Sequence, residues 1–529
     1  MASGSHEFIL DGAEASADLP IDVLASLTRE ANTDGLGWSG NGQVRAFRRC
    51  WLDSFDWRLY RAGLTLEQET CAGQTRLVLT GRDGEVMATE RVPDGSKLSW
   101  PGLLAVLPAG PLRELLDPVV GVRALFPVAR AVSKVREQRA LNGDDKTIAR
   151  LAVDRMSVTF PARAAAPVRL TLAPVRGYQG QADRLGRALS GLQGVRAGRG
   201  SALDAALAAV GRLPGERPGK AAAVPLSPAM PAATAMAAIL SALLDSLEAN
   251  VAGTVRDIDT EFLHDLRIAV RWTRSALKLC GDALPDGLAS SFQPQFRWLG
   301  DLTTPTRDLD VYLLGFSGMA AGLIAATETE LTPFRDYLAK SRLAAHRQLA
   351  SGLRSARFTR LVSDWRSALA DARPVRKRPN VGQLAASRIG GANRKALRAG
   401  RLITASSPPE SLHDLRKRCK ELRYLVEMFG SLHDPANRWQ AVRELKALQD
   451  CLGEFQDAEV QRTEIRAFAA QMLSDRSAPA ATLLAMGEIS AGLALRQREA
   501  RSEFDGRFAA FASPASQVRL AALTRTTAA

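Results

Sequence analysis

Two stretches of the chain, "FLHDLRIAVRWTRSALKLCG" (262–281) and "SLHDLRKRCKELRYLVEMFG" (411–430), share a His-Asp-Leu-Arg core and then diverge. Their histidines, His264 and His413, stand 149 residues apart in a chain of 529 that holds only five histidines. A duplicated segment constrains the fold strongly, because related halves bury matching faces and commonly pack about a pseudo-two-fold axis. A second correspondence keeps the same order: "FRWLGDLTTPTRDLDVYL" follows the first copy and "LKALQDCLGEFQDAEV" the second. Each reads as a leucine-glycine break and then an aspartate-bearing helix start, with Asp308 and Asp310 in one and Asp457 in the other.

At about 100° per residue, His264, Arg267, Arg271, Arg274 and Lys278 fall at i, i+3, i+7, i+10 and i+14 of a helix. They share an arc of roughly 80°. Leu263, Leu266, Val270 and Leu277 flank that arc on one side, and Ile268, Trp272 and Leu279 on the other. In the copy, His413, Arg416, Lys420 and Arg423 repeat the offsets, and Glu427 takes the place of the final lysine. "SRIGGANRKALRAGR" adds a third stripe, Arg388, Lys395 and Arg398, with Gly391 inside it where a bulky partner could approach. A solvated stripe of ion pairs would interleave acids with these bases, and the first stripe has none. Cations boxed in by apolar residues need counter-charge, so the pattern points to an anion site. His264 lies on the arginine side and Asp265 about 100° away. Surrounding cations lower a histidine's pKa and repel a metal ion, so a hydrogen-bond donor to phosphate fits better than a metal ligand or a catalytic base.

The first 200 or so residues read as α+β. "TRLVLTG", "SVTFPA" and "VRLTLAP" suit short strands, with "RDGE" and "NGDD" as turns between them. Residues 213–231 form a Pro- and Ala-rich linker. From 232 to 515 the period becomes 3.6, and "DARPVRKRPN" (371–380) divides this all-helical stretch into halves of about 232–370 and 381–515. The sequence contains no apolar run approaching the roughly 20 residues of a membrane span, and "MASGSHEFILDG" lacks the regions of a secretory signal, with "GSHEF" resembling a cloning scar. The expected location is the cytoplasm. Cys50, Cys71, Cys280, Cys419 and Cys451 show no CxxC spacing and are expected as free, mostly buried thiols. A net charge of +14 favours anionic partners.

The paired HDLR segments, the RDLD stretch after the first and the duplicated helical half resemble the CHAD domain (conserved histidine α-helical domain). That resemblance implies two pseudo-symmetric four-helix bundles with a basic channel that binds inorganic polyphosphate, and an association with polyphosphate granules. It assigns the binding set His264, Arg267, Arg271, Arg274, Lys278, His413, Arg416, Lys420 and Arg423, followed by Arg388, Lys395 and Arg398.

The N-terminal stretch 1–212 is similar to the CYTH or triphosphate-tunnel family: "RRCWLDSFDWRLYRAGLTLEQE" (48–69) matches its central segment, with Asp53-Ser54 where that family has Asp-Thr. Its chemistry is missing. The opening glutamates reduce to Glu7, the arginines after "GLTL" are replaced by Glu67, Gln68 and Glu69, and "VRLTLAP" has no acid. A degenerate, antiparallel, CYTH-like domain without metal, cofactor or catalysis is expected. The alternatives are a CYTH-type phosphoanhydride hydrolase with a substrate-capturing CHAD module, and a scaffold whose basic faces meet an acidic protein or another polyanion. Nucleic acid is disfavoured, since the stripes carry few aromatics and no reader motif.

Overall fold

The structure is a computed structural model that describes residues 6–10, 37–39, 44–93, 95, 98–191, 195–198, 200–215, 224–372 and 379–525. Parts of the expected linker (216–223), of the basic connector (373–378) and of the N-terminal "MASGS" lie outside these. The chain divides into two units, 1–218 and 219–529.

In the first unit the alternating runs give an antiparallel sheet whose described strands are β1 (His6–Leu10), β2 (Gly37–Ser39), β3 (Val44–Ser54), β4 (Leu64–Cys71), β5 (Gln74–Gly81), β6 (Val86–Val92), β7 (Leu125–Leu141), β8 (Thr147–Phe160), β9 (Ala164–Ala165), β10 (Val168–Pro174) and β11 (Val195–Ala197). Their order is β11-β1-β10-β8-β7-β3-β4-β5-β6, with β2 paired to β7 and β9 to β8. Among the described residues, four α-helices accompany the sheet: α1 (Arg58–Arg61), α2 (Pro111–Val120), α3 (Gln179–Gly191) and α4 (Ala202–Ala209). The turn from β3 to α1 is organised by Asp53, whose buried carboxylate accepts from the backbone N–H of Ser54, Leu59 and Tyr60 at 2.7–2.9 Å. Burial pushes the Asp53 carboxyl up to about 7. Successive side chains alternate between the two faces of a strand. Arg49, Trp51, Glu67, Asp154 and Arg169 thereby share one face. At one end of it α4 buries Leu203 and Leu207 against Trp51 and Met156.

The second unit is all helix: α5 (Ala232–Val255), α6 (Thr260–Cys280), α7 (Leu288–Leu314), α8 (Phe316–Ala321), α9 (Glu328–Leu353), α10 (Ala356–Ala370), α11 (Val381–Arg401), α12 (Pro409–Met428), α13 (Pro435–Ser474), α14 (Ala480–Ala512) and α15 (Pro514–Ala522). The duplication is visible as element order. The opening helices begin at 232 and 381, and the 3-10 turns after the motif helices begin at 281 and 430, each pair again 149 residues apart. A continuous apolar core, from Leu240 and Leu266 to Leu415 and Leu448, runs through both copies.

Two readings need correction. The leucine-glycine segments are not breaks: α7 runs through Gly300 and α13 through Gly453. A helix interior tolerates a glycine at a cost of about 1 kcal/mol. The room is used by an arginine, since a Cβ at Gly300 would lie 2.5 Å from Arg274 Nη1. And α5 is long and apolar enough to cross a membrane by length and composition. Its alanines and leucines are instead buried among the other helices, with Leu240 wholly inaccessible.

Candidate functional site: a cationic track across the repeat

The first motif helix, α6, is held at its start by two devices. Asp259 Oδ1 accepts from the N–H of Glu261 and Phe262 at 3.0 and 3.3 Å, an N-cap. The preceding turn is clamped by Arg342, which reaches Asp257 and, at 2.7 Å, Asp310. Asp310 of the RDLD stretch therefore orients the motif helix from behind.

Along α6, Arg267 Nη1 donates to Thr303 and Thr304 hydroxyls at 3.1 and 2.7 Å. Burial and the neighbouring Arg271, Arg307 and Arg274 hold its guanidinium below the ordinary value, against the pull of Asp308. Burial, then Arg307, likewise depresses the imidazole of His264. On α12 the copy behaves in parallel. Arg416 Nη2 donates to Asp457 at 3.0 Å, and His413 Nδ1 lies in hydrogen-bond contact, 2.7 Å, with Gln456 Oε1.

The two motif helices meet. Trp272 and Tyr424 pack with ring centroids 5.6 Å apart. The Arg271 and Arg423 guanidinium carbons stand 5.8 and 5.9 Å from the centre of the Tyr424 ring, within cation–π range. Arg271 and Lys420 occupy the same position in their copies, seven residues after the histidine. Lys420 is pushed down to about 8 by burial and by Arg416, Arg271 and Arg423. The stripes meet at Tyr424, which packs on Trp272 and lies within range of Arg271. His264, Arg267, Arg271, Lys420, Arg416 and His413 thus form one track, with Arg274 and Arg423 beside it. At about 1.5 Å rise per residue it spans roughly 20 Å.

Glu427, the acid in the second stripe, sits 3.7 Å from Arg423, and burial raises its carboxyl. Lys278 bonds Glu421 at 2.6 Å at the far end of α6. It turns away to line a separate groove of about 630 Å3, together with Arg388 and Lys395 of the third stripe. Arg398 is exposed and lines neither.

Arg307 was absent from the expected set. Gly300, Thr303, Thr304 and Arg307 stand at i, i+3, i+4 and i+7 on one face of α7, and that spacing was the available signal. Its Nη1 and the Nε of Arg416 are buried donors without a hydrogen-bond partner among the described residues. Such donors are costly unless a ligand completes them. Among the described residues, no group of three or more His, Cys, Asp or Glu side chains is placed to hold a metal ion.

On the sheet face of the first unit, Arg49, Arg76 and Arg169 each have a carboxylate partner. Arg49 is gripped by Glu67 and, at 3.1 Å, by Asp154. Arg76 meets Glu69 at 2.6 Å. Arg169 meets Glu7 at 2.7 Å and also donates to the carbonyls of Gly200 and Ser201.

Residues 238–466, within the helical unit, match the family model of the CHAD domain. None of the curated proteins compared matches the chain. Among solved structures, the chain is similar to the CHAD domain from the plant Ricinus communis at 24% identity and TM-score 0.48, covering 55% of this chain and 96% of the other. It is also similar to PptA from Streptomyces chartreusis at 17% identity and TM-score 0.43, covering 52% and 99%. A protein from Bacillus halodurans follows at 12% identity and TM-score 0.26, covering 38% and 97%. At those TM-scores the likenesses carry nothing about the site.

Proposed function

We propose that the protein binds inorganic polyphosphate along the track from His264 to His413, and that it works as a phosphate-polymer scaffold or granule-associated factor without turnover. The observation that carries this reading is the meeting of the two motif helices at Tyr424. Its ring centre lies 5.8 and 5.9 Å from the guanidinium carbons of Arg271 and Arg423, which brings two short stripes of cations together. An array of that form suits a polymer with one negative charge per unit and no base to read. Guanidinium forks match pairs of phosphate oxygens, and the buried donors of Arg307 and Arg416 await such acceptors. The CHAD domain is linked to polyphosphate binding, which supports the same conclusion.

The first unit is read as a CYTH-like scaffold without catalysis. Arg49, Arg76 and Arg169 on its sheet face are committed to Glu7, Glu67, Glu69 and Asp154, and α4 packs at one end of that face.

The test is a competition experiment at physiological salt, with long-chain polyphosphate set against single-stranded RNA and duplex DNA. Polyphosphate should win, with log K falling linearly in log[salt], by analogy with counterion release. Equal competition by RNA would sink the assignment. Metal-dependent phosphate release from tripolyphosphate or ATP, abolished by Glu7→Gln, would make the chain an enzyme instead.

A further inference from the structure

The groove beside α12 repeats the chemistry of the track on another surface. It is lined by six cations, Lys278, Arg388, Arg394, Lys395, Lys417 and Arg418, against two acids, Asp414 and Glu421. On α12 the track residues 413, 416, 420 and 423 and the groove residues 414, 417, 418 and 421 point to directions roughly 130° apart. The groove is therefore a distinct face.

Its cations fall into two groups. Lys278 is held by Glu421, Lys417 by Asp414 at 3.2 Å, and Arg388 by Asp282. Arg394, Lys395 and Arg418 make no ion pair among the described residues. Gly391 lies in the floor between them, and a Cβ there would meet open space. Lys278 links the two faces: it is the last cation of the α6 stripe, after Arg271 and Arg274, and it lines the groove.

We infer that this groove is a second subsite for the same polymer, occupied by polyphosphate chains long enough to leave the track past Arg274 and follow Lys278 around α12. The inference rests on the reading of the track as a polyphosphate site. An incoming chain would displace Glu421 from Lys278, and the three uncommitted cations supply the counter-charge that makes the exchange favourable. A small anion gains little from six cations spread over a groove of about 630 Å3, whereas a polymer gains a contact at each. Long chains are thus favoured over short ones by geometry alone.

The experiment compares tripolyphosphate with long-chain polyphosphate on the full chain and two variants. Arg394→Glu with Arg418→Glu reverses two uncommitted cations. Gly391→Glu places a carboxylate in the open floor of a helix whose propensity it improves, so a folding defect in one variant does not decide the matter. Both variants should leave tripolyphosphate affinity within about twofold, weaken long-chain binding by about tenfold or more, and lower the salt slope by about one unit per lost contact. Unchanged long-chain affinity in both variants would overturn the subsite while leaving the track intact. An equal loss for tripolyphosphate would overturn it too, by making the groove a primary anion site. If the unmodified chain binds neither anion, the track reading falls first and takes the subsite with it.

Discussion

The sheet face of the first unit and the track of the second are both rich in arginine, yet they hold it in opposite ways. Arg49 and Arg169 lie among carboxylates supplied by other strands of the sheet, Glu67 and Asp154 for one and Glu7 for the other. Arg267 lies among hydroxyls, Arg271 over a ring, and Lys420 among other cations. Both faces carry arginine, and they differ in the counter-charge already present, which decides affinity for an anion. A self-neutralised face spends its arginines on the fold; an uncompensated one holds them for a ligand.

The largest expected effect breaks the track at its join. Arg271→Glu with Lys420→Glu removes two attractions and adds two repulsions, each charge-assisted contact contributing about 1.5–3 kcal/mol. Polyphosphate affinity should fall by roughly 100-fold or more, measured by fluorescence anisotropy or calorimetry. The helical circular dichroism should survive, since the apolar arcs are untouched. A folded double variant that binds like the parent would remove the track as the site.

The converse prediction concerns the paired face. Glu67→Gln leaves the Arg49 guanidinium, 15% exposed, with Asp154 alone. The sheet unit should lose about 2 kcal/mol of stability in thermal or denaturant unfolding. Polyphosphate affinity should not change. A stability loss without a binding change is what separates a structural arginine from a binding one.

Much of this contrast was legible beforehand. The helical stripes follow from a period of 3.6, which is local, so His264 through Arg274 and His413 through Arg423 could be named from spacing. The duplication was legible for the same reason. What spacing could not show was which stripe meets which. Lys278, Arg388 and Lys395 sit on the same arcs as their neighbours but belong to another groove, because that depends on how α6, α11 and α12 cross. Arg307 was missed because it lies on a third helix whose face is marked by a glycine and two threonines rather than by charge. The leucine-glycine segments were misread as breaks, since glycine in sequence signals a turn unless a packed partner such as Arg274 explains it. On the sheet, Glu67 and Glu69 stand out in the sequence as acids. That each one holds an arginine depends on strand register, with Arg49 opposite Glu69 and Trp51 opposite Glu67.

A subtler difference between the faces is that the track should titrate. Lys420 is held at about 8, below the ordinary lysine value, by burial and then Arg416 and Arg271. Below that pH it is charged and contributes to binding. As pH rises through about 8 the folded protein loses the proton, and polyphosphate affinity should fall by about tenfold between about pH 7 and about pH 9.5. The sign for stability is opposite. Between the folded and unfolded values the unfolded chain binds more protons, so the unliganded protein should become more stable with rising pH in that window. Lys420→Arg should flatten the affinity profile, because arginine stays charged there. An unchanged profile in that variant would assign the step to another group.

The smallest expected effect makes the two copies of the motif differ from each other. At the position where Arg267 meets Thr304, a neutral hydroxyl, Arg416 meets Asp457, a carboxylate, at 3.0 Å. Where the first copy has Arg307, the second has, 149 residues on, the neutral Gln456. Asp308 is the first-copy counterpart of Asp457, but there Arg267 bonds the threonines and Asp308 acts on it only through charge. With a direct ion pair, the second arm is the closer of the two to the paired sheet face. Asp457→Asn should move it toward the first arm: the amide keeps a hydrogen bond to Arg416 but removes the competing charge. Asp457 is 62% exposed, so the pair is screened and its removal changes little in stability. Polyphosphate affinity should rise by about two- to fivefold, with a salt slope steeper by up to about one unit. The same substitution takes a stabilising acid away from Lys420, whose pKa should fall further, so the gain should be largest below about pH 7 and shrink above it. A loss of affinity at every pH would mean that Asp457 positions Arg416 for the polymer rather than competing with it, and that the acids of this arm belong to the site.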